Sequence, residues 1–170
     1  MLWRFSEHFD AELCIELCPQ AARAGTAEHR PVRCLELGTY CGYSALLIAR
    51  NLPEGGKLLS VEKDPLFAAI ATKIVEFAGL DKKVKVWMGH LASEICNVEI
   101  KLEHQPADFV LCDHSMERYV HDLKLLELRG IIDPTLTWVI ADMEIFPGDP
   151  KHVDAEGAEP SVTVLLGCGT

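Results

Sequence analysis

Short apolar runs alternate with longer amphipathic stretches along most of this chain. Val32–Leu37, Lys57–Glu62, Val84–Met88, Asp108–Cys112 and Leu136–Ala141 are dense in aliphatic residues, and each reads as a strand. Tyr43–Arg50, Pro65–Ala78, Ala92–Leu102 and Arg118–Leu128 repeat their apolar positions three and four apart, as helices that bury one face do. The punctuation agrees. Pro53-Glu54-Gly55-Gly56 makes a turn, Pro65 opens its helix, and Gly79 and Gly130 stop theirs. Apolar strands separated by helices predict a doubly wound, mostly parallel α/β sheet of Rossmann-like kind, covered on both faces. Ahead of it, Trp3 to about Ala22 reads as a helix with Phe5, Phe9, Leu13 and Leu17 on one stripe, followed by a polar loop. After Lys151 the chain is polar until Val162–Leu166, a candidate last strand. The expectation is one domain: residues 1–31 helix and loop, 32–150 sheet core, 151–170 a short tail.

Composition narrows the partners. The chain has 170 residues, of which 49% are hydrophobic, enough for a substantial core. A net charge of −10 argues against nucleic acid or an anionic membrane as partner. No run approaches ~18 uninterrupted apolar residues, and Met1–His8 lacks the apolar segment of a secretion signal. A cytoplasmic monomer acting on a small molecule is expected. The 7 cysteines are odd in number and irregularly spaced, as reduced core thiols are, and Cys14-x-x-x-Cys18 lacks a second zinc-ligand pair.

Ligands of parallel sheets sit outside the carboxyl ends of the strands. Gly38, Glu62, Gly89-His90, Asp113-His114 and Asp142 occupy those ends. In Gly38-Thr-Tyr-Cys-Gly42, Tyr40 stands where a dinucleotide fingerprint has the glycine that lets backbone approach a pyrophosphate. S-adenosylmethionine, a nucleoside without pyrophosphate, suits such a turn, and a nicotinamide dinucleotide does not. The plainer alternative is a tight turn with no ligand, which Glu62 weakens: its carboxylate can accept from both ribose hydroxyls. Glu62 could instead cap the next helix, a task Asp64 can perform. Asp113 and Asp142 end neighbouring strands and suit a hard cation such as Mg²⁺, or are ordinary loop-start acids. His114 either meets a purine edge or closes its turn. His90 and His121 read as surface residues; Trp87, Phe109, Trp138, Phe67 and Phe77 read as core.

Leu35-Glu-Leu-Gly-Thr-Tyr-Cys-Gly-Tyr-Ser44 and Asp108-Phe-Val-Leu-Cys-Asp-His114 closely resemble the catechol O-methyltransferase family. Leu58–Pro65, Lys73–Gly79, Glu117-Arg-Tyr119, Leu125-Leu-Glu127, Ile140-Ala-Asp142 and Phe146-Pro-Gly148 follow in order, so the likeness runs from about Val32 to Pro150. It implies an S-adenosylmethionine-dependent methyltransferase fold with shortened ends, methylating one hydroxyl of a catechol or related phenol with Mg²⁺. The resemblance puts Glu36, Gly38, Tyr40 and Ser44 at the methionine end of the cofactor, Glu62 at its ribose and His114 near its adenine. It makes Asp113 a cofactor and metal residue, Asp142 a metal ligand, and Pro147 a wall of the acceptor pocket. Departures accompany it. The family's general-base lysine falls on Met116 and its asparagine metal ligand on Met143, with Glu144 a candidate replacement. An adenine-flanking tryptophan falls on Ser115, and a polar pair falls on Leu91-Ala92. The leading expectation is an O-methyltransferase; the alternative is a catalytically impaired relative that binds the cofactor as a module.

Overall fold

A computed structural model of the chain describes residues 30–141 and 164–166. In chain order it contains β1 (Arg33–Leu37), α1 (Tyr43–Asn51), β2 (Lys57–Glu62), α2 (Pro65–Phe77) and β3 (Val84–Met88). There follow α3 (Leu91–Lys101), β4 (Phe109–Cys112), α4 (Met116–Leu128), β5 (Trp138–Ala141) and β6 (Val164–Leu166). The sheet order is β3-β2-β1-β4-β5-β6. The first five strands are parallel, and β6 lies antiparallel to β5. The chain therefore steps outward from β1 to β3, then returns to place β4 on the other side of β1. That reversal opens a crevice at the carboxyl ends of β1 and β4.

Alternate strand residues feed two cores. Leu35, Leu37, Leu59, Val61, Val110 and Cys112 pack with Leu91, Ile95 and Val98 of α3 and Tyr119 and Leu126 of α4. Cys34, Leu58, Phe109, Leu111 and Ile140 pack on the opposite face with Ala45, Ile48 and Ala49 of α1 and Val75 of α2. Burial on both faces explains why these strands read as continuous apolar runs.

Helix ends follow local chemistry. Asp64 Oδ1 accepts from Leu66 N at 2.8 Å and Phe67 N at 3.3 Å, capping α2, with Pro65 next to it. Gly79, at φ +70°, closes the other end, where Leu80 N donates to Val75 O. Helix α4 begins two residues earlier than predicted. Strand β5 begins two residues later, because Asp133 accepts from Thr135 N and Oγ1 and holds the preceding residues in a turn. Phe77 corrects the sequence reading: it is 96% exposed, not core. Ala68, Ala71 and Val75 face the sheet, and two residues beyond Val75 the helix has turned toward solvent. Phe109 is fully buried, while Trp87 and Trp138 pack partly buried against the cores. The helix predicted over Trp3–Ala22 lies outside the described residues.

Asp108 anchors the end of the sheet away from the crevice. It is 1% exposed and accepts from Arg30 Nη1 at 2.9 Å, Arg30 Nη2 at 2.5 Å and Arg33 N at 2.8 Å. Asp108→Ala strands all three donors, and a urea melt is expected to show a loss of about 3 kcal/mol.

Candidate functional site

The turn after β1 is built around contact between two strand ends. Gly38 has φ +95°, and its N–H donates to Val61 O at 2.9 Å. A Cβ added there would lie 2.0 Å from Asp113 O, so only glycine lets β1 and β4 approach at the crevice. Tyr40 also takes a positive φ of 47°, and its ring packs on Phe67 at 4.4 Å between centroids. Gly38, Glu62 and Asp113 thus share one rim, as the sequence predicts.

Glu62, buried at the end of β2, organises that turn. Its Oε2 accepts from Thr39 N at 3.1 Å and Tyr40 N at 2.9 Å, while Oε1 accepts from Asp64 N at 2.8 Å. A carboxylate offers about four acceptor sites, so a ligand hydroxyl can still be received. Asp64 caps α2 itself, and Glu62 supports that cap by receiving the Asp64 N–H.

Glu36, on β1, is 0% exposed. Ser60 Oγ donates to its Oε2 and is in turn 2.5 Å from Thr39 Oγ1, whereas Oε1 has no hydrogen-bond partner. Burial pushes its pKa up to about 7; Ser44 and Ser60 pull it down, and the charge of Glu62 adds to the rise. A buried carboxyl with one bare oxygen beside a glycine turn is a candidate receptor for a cation.

On the other side of the crevice, His114 Nε2 lies 2.9 Å from Asp122 Oδ2, and its ring packs against Tyr119 at 5.0 Å. Burial lowers the His114 pKa, opposed by Asp122, with Arg118 and Lys63 adding to the lowering. Burial alone would raise Asp122, but bonds from His121, Arg118 and His114 hold it below the usual carboxylate range. Cys112 is pushed up to about 12 by burial, with Asp122 and Asp113 adding to it, and is an inert core thiol.

Other predicted positions are brought in only by backbone or not at all. Met116 opens α4 behind Ser115, whose side chain makes no cap bond. His90 and Ala92 are exposed, and Leu91 is buried in the core. His121 is exposed yet bonded to Asp122. Asp142, Met143, Glu144 and Pro147 lie outside the described residues. Among the described residues no group of three His, Cys, Asp or Glu could hold a metal ion. The sequence reading missed the Thr39–Ser60–Glu36 chain and the Asp122 cluster. Only the Arg118/Asp122 spacing, one helical turn, hinted at the latter.

A parallel sheet of this order, with a glycine turn and buried acids at its switch point, defines a Rossmann-like α/β protein of the methyltransferase kind. The O-methyltransferase family profile matches residues 30–138, and the chain belongs to that family. Over 127 residues it is 45% identical to the Homo sapiens protein named transmembrane O-methyltransferase, covering 74% of this chain and 43% of that one. It is 42% identical over 126 residues to Mus musculus catechol O-methyltransferase, covering 74% of this chain and 47% of that one. The chain thus spans under half the length of these curated relatives. An O-methyltransferase from Bacillus cereus, solved in complex with SAH, superposes at a TM-score of 0.63 with 24% identity, covering 78% of this chain and 55% of that one. Among the described residues no helix is long and apolar enough to cross a membrane.

Proposed function

We propose that this chain carries the cofactor site of an S-adenosylmethionine-dependent O-methyltransferase acting on a catechol or related small phenol. The observation that carries this reading is the bare Oε1 of fully buried Glu36, set beside the Gly38 turn and Glu62. The bound cofactor would supply a sulfonium methyl group for in-line displacement by the acceptor oxygen. Glu36 would receive the ammonium of its methionine end, with Gly38, Tyr40 and Ser44 enclosing that end. Glu62 would accept from the ribose, and His114 would border the adenine. Asp113, with Asp142 and Glu144, is the proposed Mg²⁺ locus, and Pro147 the acceptor wall. Met116 cannot take a proton, and loss of a positioned base typically costs ~10²–10⁴-fold in rate. That substitution, together with Met143, supports the second reading: a relative that binds the cofactor and transfers slowly or not at all.

Titration calorimetry with S-adenosylmethionine is the test, followed by radiolabelled methyl transfer to small phenols with and without Mg²⁺. Binding is expected, and Glu62→Ala is expected to weaken it at least about tenfold, the worth of one charge-assisted hydrogen bond. Because Glu62 also holds Thr39, Tyr40 and Asp64, a melt of the same variant separates lost folding from lost binding. Unchanged affinity in a folded Glu62→Ala protein would falsify the ribose assignment. Binding without transfer would favour the module.

A further inference from the structure

We propose that Asp122 is a positioning residue for purine recognition: it fixes the His114 ring with the proton on Nε2, leaving Nδ1 as a bare acceptor for the exocyclic amine of adenine. The inference rests on the cofactor reading above and names what reads the base. Asp122 is 1% exposed, and both its oxygens are occupied. Oδ2 meets His114 Nε2 at 2.9 Å and Arg118 Nε at 3.3 Å; Oδ1 meets Arg118 Nη2 at 3.1 Å and His121 Nδ1 at 3.0 Å. An ionised carboxylate only accepts, so the hydrogen between Asp122 and His114 belongs to Nε2. The partner of one ring nitrogen sets the state of the other.

His114 Nδ1 is buried and has no hydrogen-bond partner. A buried polar atom without a partner costs free energy that a ligand donor can recover. The residue lies on the same rim as the Gly38 turn. The His114 backbone N lies 3.1 Å from where a Gly38 Cβ would be, and the Tyr119 ring packs against that of His114. On that cofactor reading, a nucleoside whose ribose is held at Glu62 brings its base to His114. Leu91 and Ala92, at the start of α3, have no side-chain donor or acceptor to offer. Adenine presents an N–H₂ group at position 6, which a bare nitrogen can receive; hypoxanthine presents a carbonyl oxygen there, which it repels.

The experiment uses the full chain with S-adenosylhomocysteine and S-inosylhomocysteine as calorimetric probes, and ¹⁵N imidazole spectra of the ligand-free protein. The wild type is expected to show an Nε2–H tautomer at His114 and to prefer the adenosyl probe by about tenfold. Asp122→Asn should give mixed tautomers and shrink the preference to within about twofold. Should that variant fold poorly, His114→Phe, which keeps an aromatic ring against Tyr119, should remove the preference alone. An Nδ1–H tautomer, equal affinities in the wild type, or an undiminished preference in His114→Phe would overturn the inference while the cofactor reading stands. Failure of the wild type to bind either probe would overturn both.

Discussion

Glu36→Gln is expected to raise the melting temperature of the ligand-free protein at pH 8 by about 5 °C while weakening S-adenosylmethionine binding at least tenfold, roughly the effect of a charged hydrogen bond. The two effects have one source. Glu36 is enclosed by the sheet, where Ser60 donates to Oε2, Oε1 has no hydrogen-bond partner, and the pull of Ser44 and Ser60 does not offset burial, so its charged form is poorly solvated. Its pKa rises from 4.5 in the unfolded chain to about 7 in the folded one. Below pH 4.5 the carboxyl is protonated in both states and exacts no penalty. As pH climbs from 4.5 through 7 the unfolded chain sheds the proton first, so folding stability falls. Above pH 7 the deficit is constant, at a ceiling of about 3 kcal/mol. Glutamine removes the titration but buries an amide of its own, which reduces the gain. Melting curves from pH 4.5 to 8 check the sign: the difference between variant and wild type should grow with pH. A cationic ligand group restores the charge to Glu36, so binding near pH 6 should release protons in the wild type and fewer in Glu36→Gln. Calorimetry in buffers of different ionisation enthalpy measures that number. A pH-independent difference in melting temperature would remove the basis for treating Glu36 as a cation receptor.

Gly38→Ala is expected to cost more than 4 kcal/mol, in the range reserved for core disruption and special backbone positions. The new methyl would lie 2.0 Å from Asp113 O and 2.6 Å from its carbonyl carbon, both backbone atoms that no rotamer change can move aside. The φ of +95° adds strain of its own. Relief requires β1 and β4 to part, yet Asp113 N donates to Leu37 O at 2.8 Å across that junction. Chemical denaturation against Gly55→Ala provides the control. Gly55 also has a positive φ, of 78°, but a Cβ there meets nothing nearer than Pro31 at 3.7 Å. Similar losses in the two variants would mean that backbone strain alone, not the close approach of strands, makes Gly38 necessary.

Much of the site was legible because strand ends are legible. A run of apolar residues buried on both faces stops where the chain turns polar, and in a parallel sheet those stops fall along one rim. The sequence pattern alone therefore groups Gly38, Glu62 and Asp113. Asp64 was separable from Glu62 because Pro65 marks a helix start. Phe77, expected in the core by its spacing, lies off the Ala68, Ala71 and Val75 stripe that faces the sheet. Spacing from Val75 points it outward.

By itself, then, the order of residues determined the alternation of strands and helices, the faces they bury and the rim on which the acids lie, since these depend on periodicity and turn chemistry within short windows. Tertiary structure alone decided that Glu36 would lose its solvent, that Thr39 and Ser60 would form a chain to it, and that Asp122 would take hold of His114. Those states depend on desolvation and on donors brought together from separate elements, and the dielectric around a carboxyl exists only once the sheet has closed over it.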